Sequence, residues 1–160
     1  MIEEIGGYWE RASKKDIDAL VCTTNNVVKS NGALVMGRGI AAQFRESFPY
    51  LDLNWGAVAE GLQEGGHEDY HILIDGPRKW HHNTVYLIGL QTKRDWAEPS
   101  PVELVVESCL KLLALANIMN WSCVLMTRPG CGNGGLVWKD VKKKIKFLDD
   151  RFTIIDHGVA

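Results

Sequence analysis

No apolar run in the 160 residues approaches the roughly 20 that a membrane-crossing helix needs. The opening Met1-Ile2-Glu3-Glu4 is acidic where a secretory leader would be basic, so no membrane contact and a cytoplasmic location are expected. Cysteine is sparse: Cys22, Cys109, Cys123 and Cys131 share no CxxC or zinc-finger spacing, and three of them lie in apolar runs. Buried thiols in a reducing compartment are expected, not a disulfide framework. His67, His71, His81, His82 and His157 show no H-x-x-x-H spacing, which predicts surface histidines and no metal. No G-x-x-x-x-G-K-[ST] segment is present, so a phosphate-transferring P-loop is not supported, and no cofactor is expected. A formal charge of −2 argues against a protein held to nucleic acid mainly by a broad basic face, though not against a local contact, and affinity for a partner must come from a pocket.

What is present suits one globular domain over residues 1–160, expected to be a monomer. At 46% hydrophobic and 24% charged residues the chain is long enough to bury a core without staples. It has no internal repeat and no low-complexity linker. Residues 2–9 read as a first strand with a bulge at Gly6-Gly7, and residues 17–22 as a second strand that stops at Thr23-Thr24-Asn25-Asn26. A helix opens at Gly39 and should end before Pro49. A second follows from Leu51, Trp55, Val58, Ala59 and Leu62, broken by Gly61 and Gly65-Gly66.

Residues 70–75 and 84–90 read as strands joined by a polar hairpin over residues 76–83. Val85 to Leu90 is continuously apolar, as in a central strand covered on both faces. Residues 101–117 form an amphipathic helix with Ser100 as N-cap and Pro101 first. A strand at 122–127, a helix at 137–148 and a closing strand at 152–156 complete the order. This alternation predicts an α/β fold: three α/β/α layers around a mixed, mostly parallel sheet, with antiparallel pairing near residues 70–90.

Two glycine loops stand out. Gly130-Cys131-Gly132-Asn133-Gly134-Gly135-Leu136 packs four glycines into six residues after a strand and ahead of a helix. Such a loop lets backbone amides close on an anion, aided by the helix end. Gly37-Arg38-Gly39-Ile40-Ala41-Ala42 also opens a helix and satisfies G-x-G-x-x-A. Some fourteen residues separate it from Cys22, which argues against a nicotinamide-binding unit; a helix start with no ligand is the bland alternative. Together the loops could grip a pyrophosphate from opposite sides.

Thr92, Lys93 and Arg94 follow the most apolar strand, where a cation reaches a ligand in the crevice. Lys93 is the lysine placed to act on an acetal carbon, although an ordinary surface turn is equally compatible. Asn25 and Asn26, at a strand's carboxyl end, could bond sugar hydroxyls or merely form a turn. The Lys139, Lys142, Lys143, Lys144 and Lys146 face reads as solvated, with a phosphodiester contact as the minority alternative. The tract Pro77-Arg78-Lys79-Trp80-His81-His82 could hold a single-stranded base.

With these residues in view, the chain resembles a macrodomain, the ADP-ribose-binding α/β/α fold, from about Asp18 to Trp138. Val21-Cys22-Thr23-Thr24-Asn25 is similar to the family's strand-end motif, Gly37-Arg38-Gly39-Ile40-Ala41 to its first glycine loop, and Gly130 to Trp138 to its second. Thr92-Lys93-Arg94-x-Trp96 followed by Pro99-Ser100 most resembles the DarG-like branch, antitoxins that remove ADP-ribose from thymidine in DNA.

The resemblance implies Lys93 as the catalytic residue. It implies ADP-ribose or an ADP-ribosylated substrate as ligand, with transient contact to single-stranded DNA. Ligand binding would fall to Asn25, Asn26, Gly37, Arg38, Gly39, Ile40, Thr92, Gly130, Cys131, Gly132, Asn133, Gly134, Gly135 and Leu136. Relatives that act on protein glutamate carry an aspartate where this chain has Gly134, which favours the DNA-directed branch. Cys22 replaces an asparagine, residues 27–31 look inserted, and the acidic residue that often follows the first strand and meets adenine is not evident, with Tyr8 or Trp9 near its place. A non-catalytic reader and an ADP-ribose 1″-phosphate phosphatase are the alternatives.

Overall fold

The computed structural model describes residues 1–156; His157 lies outside them. Six strands form one sheet: β1 (Ile2–Ile5), β2 (Ala19–Thr24), β3 (Ile72–Trp80), β4 (Asn83–Gln91), β5 (Val124–Thr127) and β6 (Phe152–Asp156). Their order is β1-β6-β5-β2-β4-β3. Every pair is parallel except the β3/β4 hairpin, which gives the mixed, mostly parallel sheet expected.

Alternate residues of each inner strand supply two separate cores. Leu20, Cys22, Leu87, Leu125 and Ile155 pack beneath α1 (Tyr8–Ala12), α2 (Gly39–Ser47) and α3 (Leu51–Glu64). Ala19, Val21, Ile88, Leu90, Val124, Met126 and Ile154 pack beneath α4 (Val102–Met119) and α5 (Trp138–Lys144). Burial on both faces explains why these strands read as unbroken apolar runs. No helix among the described residues is long and apolar enough to cross a membrane.

Several elements depart from the sequence reading for identifiable reasons. The first strand stops at Ile5 because Gly6 has φ +151 and Gly7 caps α1, which turns Tyr8 into the core. Helix α3 continues through Gly61, where one solvent-facing glycine costs only about 1 kcal/mol against the burial of Trp55 and Ala59. Strand β3 runs past Gly76-Pro77 because a bulge between Asp75 and Arg78 absorbs them on an edge strand, leaving His81-His82 as the connection.

β4 lies one strand in from the edge, not at the centre. Pro101, not Ser100, stands at the cap of α4: the buried Ser100 hydroxyl bonds none of the helix amides, while the Ser100 amide ties the segment to Gly134 O at 2.9 Å. Helix α5 ends at Lys144, after which Leu148 N bonds Ile145 O, three residues back, in a tighter turn.

One helix–loop contact sets up the site. Gly56, inside α3, lies directly against backbone: a Cβ there would overlap Gly32 O and stand 2.7 Å from Leu34 N. Leu34 N also donates to Asp52 O at 2.9 Å, so the segment leading to the first glycine loop rests on α3.

Candidate functional site

Because β2, β4, β5 and β6 are parallel, their carboxyl ends meet along one edge of the sheet, where open α/β folds hold ligands. There the chain opens a cavity of about 1300 Å³. Its floor is Thr23, Thr24 and Asn25 after β2, Thr92 and Lys93 after β4, Thr127 and Arg128 after β5, and Ile155 and Asp156 of β6. Gly37 to Ala41 form one wall and Gly130 to Leu136 the other. The walls come close: a Cβ on Gly39 would stand 3.7 Å from the side-chain nitrogen of Asn133.

The first wall ends in helix α2, whose opening amides lack partners within the helix and belong to residues that line the cavity. The second wall is a folded turn. Leu136 N donates to Gly130 O at 2.9 Å and Gly135 N to Gly132 O at 3.2 Å, with Gly130 and Gly135 both at φ +76. A residue bearing Cβ pays for that left-handed backbone, which accounts for two of the four glycines. Gly134 is required by contact instead, since its Cβ would overlap Ser100 Oγ and Gly130 O. Gly132 has open space on the side where its Cβ would lie.

Lys93 joins the two halves of the site. It is 9% exposed, and its Nζ donates to Asn133 O at 2.9 Å and to Trp96 O at 3.3 Å. Two carbonyls occupy two of its positions and leave one for the cavity. The strand end beneath it is fixed by residues whose part the sequence did not reveal. Buried Gln91 accepts the amides of Tyr70 and His71, each at 2.9 Å, and donates to Asp69 Oδ1 at 2.9 Å. Ser108 Oγ, from α4, donates to Gln91 O at 2.7 Å. Thr24 O accepts the amide of Thr92 at 3.0 Å.

Every site residue expected from the sequence lines this cavity except Asn26. The Asn26 side chain faces the other way: Nδ2 donates to Glu68 O, and Oδ1 accepts from Gln63 Nε2 at 2.9 Å. Arg94 likewise turns from the cavity onto Asp69, with contacts of 2.9 and 3.1 Å. Burial alone would raise the Asp69 carboxyl, but the hydrogen bonds from Arg94 and Gln91 together hold it below its ordinary value.

Asn25 does line the cavity, yet its amide is partly spent, Nδ2 on Val35 O and Oδ1 on Val27 N, each at 2.9 Å. Burial pushes the Cys131 thiol up to about 11, outweighing the pull of nearby Arg128, so it is a protonated thiol at neutral pH.

The aromatic residues near the expected adenine position are not available for stacking. Tyr8 is fully buried, its hydroxyl bound to the carbonyls of Val21 and Leu125 at 3.2 and 3.1 Å. Trp9 packs against Phe44, Phe48 and Trp80, and Trp80 against Phe48, so neither ring reaches the cavity. The far end of the cavity is built by side chains to which the sequence alone assigns no ligand role. There the Arg128 guanidinium lies 5.3 Å over the Trp138 ring and Nη2 stands 3.2 Å from Asp156 Oδ2. A tryptophan opening a helix after a strand-end arginine is the signal that could have revealed it.

Taken together, the sheet order and the two facing glycine loops define a macrodomain, and the chain belongs to that family. The macrodomain of Thermus aquaticus DarG superposes with a TM-score of 0.70 over 96% of this chain and 95% of that one, at 27% identity. That of Mycobacterium tuberculosis DarG gives 0.66 over 89% and 90%, also at 27% identity. This is a DarG-like macrodomain.

Among curated proteins, the DNA ADP-ribosyl glycohydrolases of T. aquaticus and M. tuberculosis are 31% and 28% identical over 132 and 138 residues, 81% and 82% of this chain. The chain spans about a third of their length, 33% and 35%. A Thermosipho africanus DarTG structure in complex with ADP-ribose shares the fold at a TM-score of 0.70 and 17% identity, over 97% of this chain and 41% of that one. No protein-family model matches the chain.

Proposed function

We propose that this macrodomain is an ADP-ribosyl glycohydrolase that binds ADP-ribose across its strand ends and releases it from a modified thymine in DNA. The observation that carries the reading is Lys93 Nζ, buried between the two glycine loops and tethered to Asn133 O with one position left for the cavity. The names of the DarG relatives support the substrate.

The span of the sheet supports one orientation of the ligand. From β4 to β6 is three strand spacings, about 14 Å, enough for an extended dinucleotide-like ligand. The reacting ribose lies at Lys93, and the diphosphate lies between the amides of Gly37 to Ile40 and those of Cys131 to Gly135. The adenosine lies toward Arg128, Trp138 and Asp156. Asn25 retains one N–H and one lone pair on its amide for the ribose hydroxyls.

In the reaction the bond from the anomeric carbon to the thymine nitrogen breaks, water supplies hydroxide to that carbon, and the base nitrogen takes the remaining proton. Lys93 acts as a fixed donor that stabilises the charge gathering on the departing base. Such a donor is worth most when it needs no reorganisation, and two carbonyls already hold this one in place. A nucleophilic amine would have to leave Asn133 O to attack a ring-opened sugar.

The test is turnover on ADP-ribosylated oligonucleotide, ADP-ribosylated glutamate peptide and ADP-ribose 1″-phosphate in parallel. Release from the oligonucleotide alone is expected. Binding of ADP-ribose without release from any of the three would make the domain a reader, and release of phosphate from the third alone would make it a phosphatase. Borohydride added during turnover should leave no adduct on Lys93; a trapped adduct would identify the lysine as nucleophile.

A further inference from the structure

Six tryptophans lie in the described chain, and five are occupied. Trp55 and Trp121 are 1% and 5% exposed, Trp9 and Trp80 share an aromatic cluster, and Trp138 carries the Arg128 guanidinium. Trp96 differs: it is 56% exposed, and among the described residues no other aromatic ring packs against it. It also lines the cavity, beside Ala97 and Pro99.

The position of that ring is tied to Lys93. Trp96 O accepts Lys93 Nζ at 3.3 Å, so the indole stands on the residue whose backbone holds the amine. The turn carrying it is fixed from within: Ala97 N donates to Asp95 Oδ1 at 2.9 Å, and Glu98 N to Asp95 O at 3.2 Å. An exposed indole on a fixed turn beside the proposed point of bond cleavage is an unfilled stacking surface. What it meets there is the group leaving the ribose.

We infer that Trp96 is a platform on which the leaving nucleobase stacks, and that it makes the site prefer base-linked over carboxyl-linked ADP-ribose. The inference rests on the hydrolase reading above. A thymine offers a π-face to an indole, whereas a glutamate carboxylate offers none. Asp95 and Glu98 lie on either side of Trp96 in the sequence and bring negative charge to this turn, which disfavours a phosphodiester and favours a base as the contact.

The test compares Trp96→Ala and Trp96→Phe with the parent domain. The alanine variant keeps the carbonyl that holds Lys93, so loss of the ring is separated from loss of the lysine's position. On ADP-ribosylated oligonucleotide, Trp96→Ala should lower kcat/KM roughly ten- to hundredfold, mainly through KM, and Trp96→Phe should recover most of it. Affinity for free ADP-ribose by calorimetry should stay within about twofold, because stacking involves only the leaving base.

Unchanged kcat/KM in Trp96→Ala, or an equal loss of ADP-ribose affinity, would overturn the inference. Quenching of tryptophan fluorescence by unmodified oligothymidylate gives a readout independent of turnover. It should be present in the parent domain, absent in Trp96→Ala, and nearly insensitive to salt. Quenching without turnover by the parent would reject the hydrolase reading and leave the platform standing; neither quenching nor turnover would reject both.

Discussion

Lys93 Nζ and Asn133 O lie 2.9 Å apart, which ties the amine at the end of β4 to the tip of a loop forty positions later. The lysine's geometry and the shape of the second glycine loop are therefore one feature. Lys93→Ala should lower turnover at least about a hundredfold while ADP-ribose binding by calorimetry changes little, since a positioned donor acts on the transition state. Retained turnover would remove Lys93 from the chemistry.

Gly132 and Gly134 sit two residues apart and should respond oppositely. Gly132→Val places its branched side chain in open space, so the melting temperature should stay within about 2 °C, while ADP-ribose affinity should fall if the diphosphate binds there as proposed. Gly134→Ala instead drives a methyl group into Ser100 Oγ and Gly130 O, and should cost about 1–3 kcal/mol in urea denaturation. For the same reason Gly134→Asp should not install a working acid; faster release from a glutamate-linked substrate in that variant would contradict the reading.

The thiols predict a pH dependence. Burial raises Cys131 to about 11 and Cys109 to about 12 in the folded chain. An unfolded cysteine titrates near ~8.5. Above that value the unfolded state sheds protons that the folded state keeps, so this contribution to stability is full below about pH 8.5 and falls as pH rises through 11 and 12. Urea melts at rising alkaline pH should show the decline. Alkylation of Cys131 by iodoacetamide at pH 7.5 should run at least about a hundredfold slower than that of a free thiol.

Gly56 tests control from outside the cavity. Gly56→Ala would ordinarily help a helix, but here its methyl group meets the backbone of Gly32 to Leu34. Destabilisation of about 1–3 kcal/mol and weaker ADP-ribose binding are expected, measured by denaturation and calorimetry. A more stable variant with unchanged binding would show that α3 does not position the first loop.

The parts of the site legible in the sequence are those written locally. Glycine density marked both loops, and a lysine after the most apolar run marked the strand end at Lys93. Contacts across long separations were not legible. Nothing near Asn26 or Arg94 announces that Gln63, Glu68 and Asp69 turn them away from the cavity.

Ser100 reads as a helix cap, yet its hydroxyl caps nothing, and its amide bonds Gly134, which only the fold brings beside it. Trp9 and Trp80, suggestive as base-stacking residues, are consumed by Phe44 and Phe48 in the core. Gly61 shows the same limit from the other side: a helix breaker by local rules, it is overridden by the burial of Trp55 and Ala59.

The β3/β4 hairpin has a consequence of its own. β4 spans eight residue steps, about 26 Å, so the His81-His82 turn lies at the pole of the molecule opposite Lys93. Sequence drift, a grafted peptide or an immobilising linker at that turn falls outside the reach of the chemistry. The domain can thus be tethered by one pole and still present the whole of its cavity to a long polymer at the other.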